Sequence, residues 1–112
     1  MANKIIVLGA GLVGSAIAID LSHDHAVTSA DINQEALGKF KNHSQIKTVQ
    51  TDLKQPEAVK NLVAGFDLVI GAVPGFRVFQ TLKAVIEAGK NIVDISFMLE
   101  DFMQLNNLAK KN

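Results

Sequence analysis

KIIVLGAGLVGSAIAIDL, from Lys4 to Leu21, decides the fold. Lys4 to Leu8 is an apolar run of strand length, β-branched at Ile5, Ile6 and Val7, which suits a strand buried on both faces. Val13, Ile17 and Leu21 then recur at four-residue spacing, with Asp20 and Asp24 off that stripe. The spacing predicts a helix from about Leu12 to His23 packed on a sheet. Between them Gly9, Gly11 and Gly14 fit G-x-G-x-x-G. Gly9 permits the tight turn, Gly11 lets a pyrophosphate approach the backbone, and Gly14 lets the helix lie on the first strand. Strand, glycine turn and helix open a mononucleotide-binding unit, whose unpaired helix-start amides bind a diphosphate without a cationic side chain.

The same alternation continues along the chain. Ala26 to Ala30 reads as a second strand ending at Asp31, and Asn33 caps a helix to about Asn42. Ile46 to Gln50 reads as a third strand, followed by a helix with Pro56 in its first turn and Gly65 at its stop. Asp67 to Gly71 is a fourth strand. Ala72 to Gly75 turns into a helix with the stripe Val78, Leu82 and Ile86, ending at Gly89. Asn91 to Ile95 is a fifth strand, and Ser96 leads into a last helix carrying Leu99, Met103 and Leu108. Strands alternating with helices imply a parallel sheet with right-handed crossovers. The expected fold is therefore α/β: a Rossmann-type, doubly wound, five-stranded sheet of order 3-2-1-4-5 with helices on both faces. The order 2-1-3-4-5 is the competitor, but it gives no reason for a glycine fingerprint straight after the first strand.

With 112 residues the chain reads as a single domain, 1–112. Eleven basic and eleven acidic residues cancel, which removes any general electrostatic case for nucleic acid or an anionic membrane. The absence of Cys excludes disulfides, thiolate metal sites and thiol nucleophiles, and the absence of Tyr excludes a catalytic phenol. The uncharged run from Ile5 to Ile19 contains three glycines and falls short of the roughly 20 residues that span a bilayer, so a soluble, cytoplasmic protein is expected.

Asp31, about 20 residues beyond Gly11, stands where the fingerprint places the carboxylate that accepts from the adenosine ribose hydroxyls. A 2′-phosphate would meet that carboxylate, and Ile32 and Asn33 supply no positive charge, so NAD is expected in preference to NADP. The other candidates lie at carboxyl ends of strands, where open α/β sheets bind ligands. Asp52 either bonds the adenine amino group, with Leu53 packed on the ring, or is a helix-entry acid. Ala72, Val73, Pro74 and Gly75 line a path toward the nicotinamide ribose. Ser96 either contacts the ligand or caps the last helix. His23 and His25 flank Asp24 in a solvated turn, His43 follows a helix end, and Arg77 is either ligand-facing or exposed. No general base, nucleophile or metal cluster is assignable by spacing, so catalytic residues stay unknown and no metal is expected.

VLGAGLVGSAIAIDL, Asp31, TDL at Thr51 to Leu53, DLVIGAVPGF at Asp67 to Phe76 and VDISFM at Val93 to Met98 together resemble the amino-terminal NAD(P)-binding domain of the saccharopine dehydrogenase family, with lysine 6-dehydrogenase-like members the most similar. The resemblance implies an oxidoreductase of amino-acid metabolism acting at a carbon–nitrogen bond by hydride transfer. It implies that Gly9, Gly11, Leu12, Val13, Asp31 and Asp52 hold the adenine and diphosphate end, and that Val73, Pro74 and Ser96 lie toward the nicotinamide. Members continue past the equivalent of Asn112 into a sixth strand and a substrate and dimerisation domain. The expectation is thus a chain that binds NAD without turnover and meets an amino-acid substrate only within a full-length parent. The alternative is a stand-alone NAD-sensing module like those of potassium transport systems. Homodimer formation through an exposed fifth strand bearing Ile92, Val93 and Ile95 is left open.

Overall fold

The computed structural model describes residues 3–73 and 89–95. Its elements are β1 (Lys4–Leu8), α1 (Leu12–Leu21), β2 (Ala26–Asp31), α2 (Gln34–Leu37) with a 3₁₀ turn at Gly38–Phe40, β3 (Ile46–Gln50), α3 (Pro56–Val63), β4 (Leu68–Gly71) and β5 (Asn91–Asp94). The strands form one sheet of order β3-β2-β1-β4-β5. Every pairing is parallel, with Val7 opposite Ser29 on one side and Ile70 on the other. The expected 3-2-1-4-5 arrangement is thus the observed one, and 2-1-3-4-5 is excluded. The expected helix on Val78, Leu82 and Ile86 and the last helix with Leu99, Met103 and Leu108 lie outside the described residues.

β1 is the axis of the sheet, and its alternating side chains build two cores. Ile5 and Val7 face α1 and α2, joining Ala18, Val27, Leu37, Phe40 and Ile70. Ile6 and Leu8 face α3, joining Ala30, Leu53, Val59, Val63 and Val69. Burial on both faces explains why the strand is apolar without interruption.

Several details differ from the sequence-based expectation. α1 does not bury the Val13, Ile17 and Leu21 stripe, each of which is only half-buried. Its buried residues are Gly14, Ser15 and Ala18. Small side chains let the helix axis approach the sheet, and the larger residues fall on its flank. The helix also stops at Leu21, where Ser22 takes over as cap, its Oγ donating to the Ile19 carbonyl at 2.6 Å. The helix expected from Asn33 to Asn42 is a short α-helix that tightens into the 3₁₀ turn at Gly38. Glycine is about 1 kcal/mol poorer than alanine inside a helix. In the tighter turn residues three apart eclipse, which puts both Leu37 and Phe40 into the core. Asn33 does cap, its Oδ1 accepting from the Glu35 amide at 2.9 Å and the Ala36 amide at 3.3 Å. β5 ends at Asp94, one residue short of expectation.

Candidate dinucleotide-binding site

At the carboxyl ends of β1, β2 and β4 the sheet pairing continues into the loops. The Gly9 amide donates to the Ala30 carbonyl at 2.7 Å, and the Ala72 amide to the Leu8 carbonyl at 2.8 Å. The chain leaving β1 is therefore clamped from both sides before it turns. Gly9 turns with φ +109°, in the region that favours glycine, and a Cβ there would stand 2.7 Å from the Ala72 oxygen and 2.9 Å from Val73 Cγ2. A Cβ on Gly14 would run into the Gly9 carbonyl oxygen. Both glycines thus hold helix, loop and β4 exit together.

Gly11 is different. Its φ of −68° is open to any residue, and a Cβ on it would meet nothing within 4 Å. It is also the N-cap of α1 and offers no side-chain cap, and the Ser15 amide donates to its carbonyl at 2.9 Å, opening the helical ladder. The amides of Leu12, Val13 and Gly14 precede that bond, at the positive end of the helix dipole. A cradle with free space over a glycine and uncapped amides fits a diphosphate.

Asp31 closes the other end of the site. Its Oδ2 accepts from the Ala10 amide at 2.7 Å, and its Oδ1 from the Asn33 amide at 2.9 Å. One half-buried carboxylate thereby fixes the glycine loop against the turn into α2 and keeps further lone pairs able to accept from a hydroxyl donor.

Sequence reasoning missed Lys39. From the 3₁₀ turn its Nζ donates to the Ala10 carbonyl at 3.0 Å. The expectation of NAD preference rested on the absence of positive charge after Asp31. Ile32 and Asn33 are uncharged, but the chain folds Lys39 back to the same loop, so that premise does not hold. No local pattern announces a contact across 29 positions made by a flexible side chain.

Asp52 is a helix-entry acid, its Oδ1 accepting from the Lys54 amide at 2.9 Å and its carbonyl from the Gln55 amide at 3.2 Å. Leu53 is 7% exposed and packs with Leu8 and Ala30, so it is core rather than an open platform for an adenine ring. Val73 is half-buried against the α3 core, next to Gly9. Leu12 and Val13 line an apolar groove of about 570 Å³ with Ile17, Ile70, Val93 and Ile95. Pro74, Arg77 and Ser96 lie outside the described residues. Among the described residues no group of three His, Asp or Glu is placed to hold a metal, and no helix is long and apolar enough to cross a membrane.

Residues 5–112 match the family described as the saccharopine dehydrogenase NADP binding domain. A search of the curated proteins returns no match. Among solved structures, saccharopine dehydrogenase (L-Glu forming) from Saccharomyces cerevisiae superposes with a TM-score of 0.73 at 23% identity, covering 83% of this chain and 21% of that one. A short-chain dehydrogenase/reductase from Veillonella parvula in complex with NADP gives 0.66 at 16% identity over 84% of this chain and 47% of its own. A 3-hydroxyacyl-CoA dehydrogenase from Archaeoglobus fulgidus gives 0.63 at 27% identity over 82% and 33%. The chain therefore spans about a fifth of the yeast dehydrogenase it resembles.

Proposed function

The chain belongs to the family of saccharopine dehydrogenase NADP binding domains and is a dinucleotide-binding domain, and on that footing we propose that it serves an oxidoreductase transferring hydride at a carbon–nitrogen bond of an amino acid. The observation that carries the cofactor reading is the bond from the Ala10 amide to Asp31 Oδ2 beside the open space over Gly11. It ties the carboxylate that would accept from the ribose to the loop whose amides would hold the diphosphate, which supports a dinucleotide ligand.

In this reading the nicotinamide supplies the hydride acceptor or donor. The chain's own residues bind and orient. The amides at the start of α1 hold the diphosphate, Asp31 accepts from the adenosine ribose, and Val73 covers the apolar side of the turn. Leu12, Val13, Gly14, Pro74, Ser96 and Asp52 complete the proposed contacts, Asp52 from the turn it already closes. NADP is admitted alongside NAD. Among the described residues no acid–base group for the hydride step is assigned.

Isothermal titration of the 112-residue chain with NADP⁺ and NAD⁺ tests the first half of the proposal: saturable binding is expected, and no heat with either at millimolar concentration overturns it. For the second half, the chain alone should reduce neither dinucleotide with lysine or saccharopine. The protein encoded by its whole reading frame should reduce one of them with an amino acid of that class, and activity confined to alcohol substrates overturns the carbon–nitrogen assignment.

A further inference from the structure

Lys39 and Asp31 engage the two ends of a single residue. The Ala10 amide donates to the Asp31 carboxylate, and the Ala10 carbonyl accepts from the Lys39 ammonium. Resting on the dinucleotide reading above, we propose that Lys39 is the residue that sets how this site treats the 2′ position of the adenosine ribose, as the counter-charge that admits a 2′-phosphate beside Asp31.

Three observations lead there. The first is position: Ala10 lies between Gly9 and Gly11, so an ammonium 3.0 Å from its carbonyl sits at the rim where loop, Asp31 and ribose would meet. The second is unspent capacity. An ammonium has three donors, and the Ala10 carbonyl uses one. Among the described residues Lys39 has no carboxylate partner and no further hydrogen bond. The third is local structure. The tightening at Gly38 sends Leu37 and Phe40 into the core and leaves Lys39 exposed on the flank of the turn, with its side chain laid back over the loop.

Asp31 alone would repel a 2′-phosphate, while both of its oxygens are already drawn to main-chain amides. A cation held within the same loop offsets that repulsion and supplies the donors a phosphate needs. The ribose hydroxyls of NAD require no cation, so the contribution of Lys39 is selective for the phosphorylated ligand.

The test titrates the unsubstituted chain, Lys39→Gln and Lys39→Arg with NADP⁺ and with NAD⁺, after thermal melts show that all three are folded. Lys39→Gln should weaken NADP⁺ about tenfold, the scale of one charge-assisted hydrogen bond, and change NAD⁺ less than about twofold, with Lys39→Arg restoring NADP⁺. The NADP⁺ loss should shrink as salt is raised. Equal weakening of both ligands means that Lys39 only braces the loop, and this overturns the proposal, as does an unchanged NADP⁺ affinity. Binding of NAD⁺ alone by the unsubstituted chain overturns it while leaving the dinucleotide reading intact. Binding of neither ligand overturns both.

Discussion

Ala10 donates its amide to the Asp31 carboxylate at 2.7 Å although 21 positions separate them in sequence. The bond ties the first loop to the end of β2, so Asp31 has a structural role before any ligand arrives. Asp31→Ala should cost about 1–2 kcal/mol, the low end for hydrogen bonds to a charged group because the site is half-exposed. Urea denaturation measures this. Asp31→Asn keeps an acceptor oxygen and should lose less stability. It should also raise the affinity for NADP⁺ relative to NAD⁺, since it removes the charge that opposes a 2′-phosphate.

The three glycines of the fingerprint should separate cleanly under substitution. Gly11→Ala enters open space at an ordinary φ, so its melting temperature should stay within about 2 °C of the unsubstituted chain, while dinucleotide binding falls at least about tenfold because the methyl occupies the diphosphate's approach. Gly14→Ala drives a methyl into the Gly9 carbonyl and should destabilise by about 1–3 kcal/mol, the range for overpacking. Comparable melting temperatures for the two variants would contradict this division.

Ser29 is fully buried in β2, and among the described residues its Oγ has no hydrogen-bond partner. A buried hydroxyl without a partner costs about 1–3 kcal/mol, whereas alanine fits the same space with one atom fewer. Ser29→Ala should therefore stabilise the chain by about 1 kcal/mol after the small void is counted. A lower denaturation midpoint in urea would show that the hydroxyl has a use.

The starts of α2 and α3 make a contrast, one capped by a side chain and one not. Asn33 accepts from two amides at the start of α2, and Asn33→Ala should cost about 1 kcal/mol. Gln55 stands at the same position before α3 without a side-chain cap, so Gln55→Asp should gain about 0.5–1 kcal/mol. Thermal melts of both variants and their double give the two values, which should add because the sites share no partner among the described residues.

The first strand, its glycine turn and the strand order were legible because each leaves a local mark. A β-branched run has no polar face, Gly9 and Gly14 stand where a Cβ would collide, and Asp31 ends a short strand of small and β-branched residues. The packing side of α1 was not legible by the same logic. A search for large apolar residues finds Val13, Ile17 and Leu21, whereas close approach to the sheet selects Gly14 and Ala18. The break at Gly38 was hidden because Leu37 and Phe40 suit a helix and a 3₁₀ turn alike. For Asp52 both roles were in view, and the Lys54 amide bond establishes the turn. Lys39 left no trace at all, since its partner is a main-chain carbonyl with no residue type of its own.

The placement of Lys39 and Asn33 on an exposed rim, while Ile6, Val7 and Leu8 are sealed on both faces of β1, divides the domain into parts that tolerate change very differently. Replacements at the rim disturb no core packing, so a lineage can retune which ligand it favours in one or two mutational steps. The strand beneath must be inherited nearly whole. Divergence in cofactor taste among such domains should accordingly run ahead of divergence in their architecture.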